Sequence, residues 1–202
     1  MRFSVSNSQA VKNLGSPNRI IWEYFSSLRD IVAQLDTTEK KEHIPRKVIL
    51  CVFMSVAIVE TFLNVYFRQL LEESACDGCR EQTLKELDER TSLERKIKTW
   101  PKRFFNKDID FSRGVGQQFI RLKELRNKLM HFRTSFDAVK TFDGELRGLA
   151  DLTEYEALNK NTAVEAIQIA EEMIAEIFRL KGASEEQIAH YLHQWTGMVP
   201  SV

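Results

Sequence analysis

The chain has 202 residues, of which 43% are hydrophobic, and its 29 basic and 29 acidic side chains leave a formal net charge of zero. This length and composition suit one globular domain with a full core, while 8 Gly and 4 Pro are too few for the turns of an all-β fold. Three cysteines exclude a disulfide framework and fit a reducing cytosol, and the polar N-terminus lacks the apolar segment of a secretory signal. We therefore expect one cytoplasmic domain spanning residues 1–202, with a core over about residues 18–180.

The first two predicted helices both begin near a proline. Ser16-Pro17 is typical of an N-cap followed by a proline in the first helical turn, and Pro45 opens a longer helix that runs to about Glu73. The second helix is apolar on nearly every side over residues 48–59, which predicts the central helix of the fold. Residues 48–67 are long enough to cross a membrane, but Glu60 among them favours a buried core helix, so no membrane contact is expected.

The middle of the chain alternates between predicted helices and connections. Residues 81–97 read as a third helix, and residues 99–110 as an irregular basic connection because Pro101 interrupts them. Residues 113–136 return to helix, with an inner apolar stripe of Phe119, Leu122, Leu125, Leu129, Phe132 and Phe136. Residues 137–151 read as a further connection.

The last two helices carry clear terminal signals. A helix begins at Thr153 or Asn161 and runs to Leu180, where Gly182 ends it. Ser184 with Gln187 forms a capping box for a short C-terminal helix over about residues 184–195. The whole pattern predicts an all-α bundle of four to six helices.

Positive charge is concentrated in one segment. Residues 90–133 hold thirteen Lys or Arg against four acidic residues, a net charge of +9, and the rest of the chain carries −9. Such a segment is suited to a polyanion, but it also fits a pair of helices whose cations face acids elsewhere in the fold.

That segment contains Arg126-Asn127-Lys128-Leu129-Met130-His131. Arginine offers a planar cation for phosphate, histidine exchanges a proton near neutral pH, and an amide can orient either of them. On an ideal helix Arg126 and His131 lie about 140° apart, so either the helix ends near His131 or a second copy completes the site in a two-fold dimer. The alternative is an ordinary solvated helix face.

The spacing of Arg126-Asn127-x3-His131 resembles the R-polar-x3-H signature of the HEPN superfamily, the higher eukaryote and prokaryote nucleotide-binding helical domains. Residues 55–64, with Ser55, Glu60, Phe62 and Asn64, are similar to the S-x4-E-x-F-x-N pattern that precedes the motif helix in many members. The resemblance implies a HEPN-like helical bundle, frequent homodimers and metal-independent ribonuclease activity, in toxins, antiphage or stress effectors and RNA-processing enzymes. It implies RNA as substrate, no cofactor or metal, and an antitoxin or nucleotidyltransferase as a candidate partner.

The catalytic candidates are thus Arg126, Asn127 and His131. Glu60 and Asn64 are expected to support Arg126 or Asn127 from the second helix; the alternative for Glu60 is a structural salt bridge or an exposed helix end. Candidate RNA contacts are Lys102, Arg103, Arg121, Lys128 and Arg133. A different class remains open as well, a catalytically inactive HEPN module that binds a partner protein, nucleotide or RNA.

Two further patterns have structural explanations beside their functional ones. Trp100, Phe104 and Phe105 alternate with cations and would stack RNA bases, or else anchor this segment to the core. Cys76-x2-Cys79 and His190-x2-His193 are each a weak metal signal and lie far apart in sequence, so no metal site is expected.

Overall fold

The computed structural model describes residues 16–37, 41–73, 77–131, 139–141, 144–146 and 152–197. These residues form eight α-helices and two short antiparallel strands. The elements are α1 (Arg19–Leu35), α2 (Ile44–Glu73), α3 (Asp77–Asp88), α4 (Leu93–Phe105), α5 (Gly114–Met130), β1 (Val139–Thr141), β2 (Gly144–Leu146), α6 (Thr153–Glu156), α7 (Lys160–Lys181) and α8 (Glu185–Thr196). The all-α prediction is confirmed, with more helices than the four to six expected.

The core forms around α2 and α7, which pack along each other, with α1 and α5 alongside them. α2 contributes fully buried side chains such as Val48, Val52 and Phe62, and α7 is lined with buried alanines and isoleucines. Among the described residues, α2 is the one helix whose length and composition would also let it cross a membrane. Half of that apolar stretch is buried inside the bundle, as expected for the central helix.

The region between α2 and α5 differs from the prediction, because the expected third helix is two helices. α3 ends at Asp88, and Arg90 adopts the left-handed conformation at φ 51°. Ser92 then caps α4 by accepting a hydrogen bond from the amide of Arg95. The turn lacks the glycine that would have indicated it.

The predicted irregular connection over residues 99–110 is also wrong in its first half, since α4 continues through Pro101 to Phe105. Tertiary packing explains this: Trp100 is fully buried, and the rings of Phe104 and Phe105 lie 5.0 and 5.8 Å from that of Phe67. Burial of three aromatic side chains outweighs the hydrogen bond lost at the proline, a cost of about 3 kcal/mol.

The helix termini agree with the prediction more closely in the second half of the chain. Gly182 ends α7 in the left-handed conformation at φ 99°, and Ser184 and Gln187 form the predicted capping box of α8. The start of α7 is capped by Asn159, and the alternative start near Thr153 is a separate four-residue helix, α6. In the connection before it, β1 and β2 pair antiparallel, which the sequence had not indicated.

The start of α1 lies slightly beyond its prediction. The helix begins at Arg19 with Asn18 as N-cap, and the Ser16 hydroxyl donates a hydrogen bond to the Asn18 side chain. The observed N-cap therefore lies two residues after Ser16, the predicted one.

Candidate functional site

The motif lies at the C-terminal end of α5, which stops at Met130 rather than continuing to residue 136. His131 is the C-cap, with φ −116° and ψ 63°, and its backbone amide donates to the carbonyl of Asn127 at 2.9 Å. Both Asn127 and His131 are exposed. The helix therefore ends at His131, which was one of the two predicted ways around the offset of about 140° between Arg126 and His131. Because His131 is no longer helical, that offset does not set the direction of its imidazole.

Arg126 occupies the last turn of α5 and is half-buried. Its Nε is buried without a hydrogen-bond partner, and its Nη1 lies 3.5 Å from the Sδ atom of Met130. No carboxylate within the described part of the chain pairs with this guanidinium. A buried arginine N–H without an acceptor is costly. A guanidinium without a carboxylate partner can pair with an anion through its other N–H groups.

Most of the surrounding cations take part in ion pairs. Of the twelve Lys and Arg described between residues 90 and 131, eight form ion pairs: Arg95, Lys96, Lys98, Lys102, Arg103, Arg113, Lys123 and Lys128. Four of the eight pair with acids elsewhere in the fold, as in the alternative that the sequence left open, and the other four pair with acids of the segment itself. Arg126 stands out because it belongs to the unpaired minority.

The five predicted RNA contacts fall in different surroundings. Lys102 is exposed and pairs with Asp108 at 3.0 Å, Lys128 is exposed and pairs with Glu154 at 2.6 Å, and Arg121 is exposed on α5. Arg133 lies outside the described residues. The fifth, Arg103, has a side chain only 13% exposed and pairs with Glu86, and its role as an RNA contact stays a prediction.

Arg103 forms a salt bridge with Glu86, a buried carboxylate that was not among the predicted site residues. Both Arg103 Nη atoms donate to it, at 2.9 and 3.0 Å, and the Trp100 indole N–H donates at 2.7 Å. Burial alone would raise the pKa of Glu86, but the hydrogen bonds from Arg103 and Trp100 and the charges of Arg103 and Arg95 outweigh it and hold the pKa below its usual range. Trp100 thus anchors α4 to the core and does not stack bases.

Glu60 forms a structural salt bridge, which was the alternative reading of this residue. Its side chain is 41% exposed and accepts a hydrogen bond at 2.8 Å from Nζ of Lys96 on α4, whose side chain is 4% exposed. Glu60 thus supplies the counter-charge that the buried ammonium of Lys96 requires, and its support of Arg126 or Asn127 stays a prediction. Asn64 is half-buried on the same face, and its Oδ1 is buried with no hydrogen-bond partner.

Of the residues in the two weak metal patterns, Cys79 is disulfide-bonded. Cys76 lies outside the described residues, while His190 and His193 are exposed on α8. The described residues hold no cluster of three His, Cys, Asp or Glu side chains suited to a metal ion.

The fold and this site define an all-α helical bundle with an Arg-Asn-x3-His motif at an exposed helix end. Comparisons with protein-family models, curated proteins and solved structures found no match. The HEPN resemblance therefore depends on the residues of this chain alone.

Proposed function

We propose that the chain is a metal-independent, HEPN-type endoribonuclease that acts through Arg126, Asn127 and His131. The observation that most supports this is the end of α5, where an arginine without a carboxylate partner is followed by an exposed histidine released from the helix. Cation, amide and imidazole lie within six residues at a surface that a phosphodiester can reach. A role as a toxin or as an antiphage or stress effector, in the cytoplasm and with an antitoxin partner, extends this proposal.

The chemistry follows from these groups. The 2′-hydroxyl of RNA attacks the adjacent phosphorus, its proton passes to a base, and the bond to the 5′-oxygen breaks as that oxygen receives a proton. The products are a 2′,3′-cyclic phosphate and a 5′-hydroxyl. His131 acts as general base or general acid, Arg126 stabilises the charge on the non-bridging oxygens, and Asn127 orients one of them.

A homodimer belongs to the same proposal. Met130, inside the motif, is 50% exposed and is therefore accessible to a second copy of the chain. Packing two copies of α5 across a two-fold axis would cover Met130 and bring two motifs together. Sedimentation velocity at micromolar concentration tests this, and a stable monomer would argue against a composite site.

Cleavage of a fluorescent mixed-sequence RNA in EDTA tests the chemistry. We expect the wild type to release cyclic-phosphate ends, and His131→Ala to be slower by about 10²–10⁴-fold. Arg126→Ala and Arg126→Lys should both fail, because an ammonium cannot reproduce the planar guanidinium. His190→Ala and Arg68→Ala, at exposed positions on other helices, are the matched controls. A rate that requires Mg²⁺ or survives the loss of His131 would reject the mechanism.

A second candidate is a non-catalytic helical module that binds a partner protein. The ion pairing of eight of the twelve described cations in residues 90–131 favours it, since RNA would have to compete with these carboxylates for them. Failure of the wild type to cleave or to bind any RNA in the same assay would select this candidate.

A further inference from the structure

An open groove runs between α5 and α7. It has a volume of about 740 Å³, and apolar side chains form its floor: Leu122, Leu125, Ala166, Ile169 and Leu192. Its lining on α7 extends from Thr162 to Glu172, which is about 15 Å along a helix axis, or roughly three turns. Two packed helices with an apolar valley between them present the surface into which a third helix fits.

The two walls of the groove carry opposite charges that the fold leaves unused. Arg121 stands on the α5 wall and Glu165 on the α7 wall; both are exposed, and neither forms an ion pair within the described residues. The other acids of the groove are already engaged, Glu171 with Arg29 and Glu172 with Arg179. The groove is therefore an apolar valley with one basic and one acidic edge.

We propose that this groove binds an amphipathic α-helix of a partner protein. The helix would carry an apolar stripe of about three turns at i, i+3, i+4 and i+7 spacing, with acidic residues along the edge near Arg121 and basic residues along the edge near Glu165. Charge complementarity at both edges fixes the direction of the bound helix. The proposal does not depend on ribonuclease activity, although Leu125 of the floor directly precedes Arg126, so the bound helix lies beside the motif.

Designed peptides test the groove without knowledge of the natural partner. Three fluorescein-labelled helical peptides of about 14 residues share one leucine stripe and differ in their edges, which are Glu on one side and Lys on the other, Glu on both, or Lys on both. Binding is measured by anisotropy to the wild type, Glu165→Lys and Arg121→Glu. The wild type should prefer the mixed peptide, Glu165→Lys the all-Glu peptide and Arg121→Glu the all-Lys peptide, with changes of about 2- to 5-fold per exposed ion pair.

Glu186→Lys and Lys107→Glu are the matched controls, since they make the same changes in net charge at exposed positions outside the groove. Both should rank the peptides as the wild type does, and a mixed peptide with serine in place of leucine should not bind. Equal binding of all three peptides to every chain, or no saturable binding at all, would overturn the proposal. So would a wild-type dimer that dissociates in Glu165→Lys, because the groove would then hold a second copy.

Discussion

Replacing Glu86 with alanine should remove a large part of the stability of this fold. Glu86 has a side chain 5% exposed, and its loss leaves the fully buried indole N–H of Trp100 and the guanidinium of Arg103 without their carboxylate. Breaking a buried pair in this way costs about 3–5 kcal/mol. Because domains are stable by only about 5–15 kcal/mol, urea unfolding followed by circular dichroism should show a much lower midpoint.

The contribution of the Glu86 charge to stability should depend on pH. The folded-state pKa of Glu86 lies below its ordinary value of 4.5, so the carboxylate stabilises the fold fully above about that pH and loses its effect as the pH falls through the lowered pKa. The stability difference between the wild type and Glu86→Gln should therefore shrink in acid.

Two further variants test whether the buried network of Glu86 stabilises the fold. Glu89→Ala removes an exposed carboxylate only 3.8 Å from Lys85 and should change stability by less than about 0.5 kcal/mol. Replacing Glu86 and Arg103 together with methionine should recover the part of the loss that comes from the unpaired guanidinium, although the indole N–H of Trp100 still lacks its acceptor. If Glu86→Ala unfolds within about 1 kcal/mol of the wild type at neutral pH, the network does not hold α3 to α4.

Three other predictions address single contacts. Glu60→Ala leaves the ammonium of Lys96 without its carboxylate and should lower the unfolding free energy, measured by urea titration, by about 1–3 kcal/mol. The double variant Glu60→Leu with Lys96→Met should not show this loss. The pKa of Glu94, which hydrogen bonds from Lys123 and Lys98 lower to about 2, should return toward 4.5 in Lys123→Ala, as carboxyl NMR titration would show. Gly197→Ala should lower the melting temperature, because the left-handed conformation at φ 72° costs a non-glycine residue about 1–2 kcal/mol. The new Cβ would also lie 2.6 Å from the indole nitrogen of Trp22. An unchanged melting temperature would contradict this.

Local signals predicted the ends of the last two helices well and the middle of the chain poorly. Ser184, Gln187 and Gly182 act within one turn of themselves, so their roles could be assigned from the sequence. Pro101 was misjudged because its cost is local while the burial of Trp100 that offsets it is tertiary. Ser92, followed by Glu94 in the first turn of α4, was a capping signal that could have separated α3 from α4.

The candidate site shows the same division. The motif of Arg126 and His131 is local and was identified directly, together with the need for a helix end or a second copy. Ion pairs between helices could not be identified in this way. Arg103 and Glu60 each looked functional by residue type, and both are paired with charges on neighbouring helices. A sequence shows where charges are, but it does not show which of them face one another.

The ion pair of Lys128 with Glu154 makes ionic strength an ambiguous probe of this protein. The pair is exposed, at 2.6 Å, and joins the motif helix to α6, so Lys128 must leave Glu154 before it can reach a phosphate. Added salt screens phosphate contacts and also weakens this competing pair. If the chain binds RNA as proposed, a shallow salt dependence of that binding would reflect two opposing effects, and Glu154→Gln would separate them by making the slope steeper.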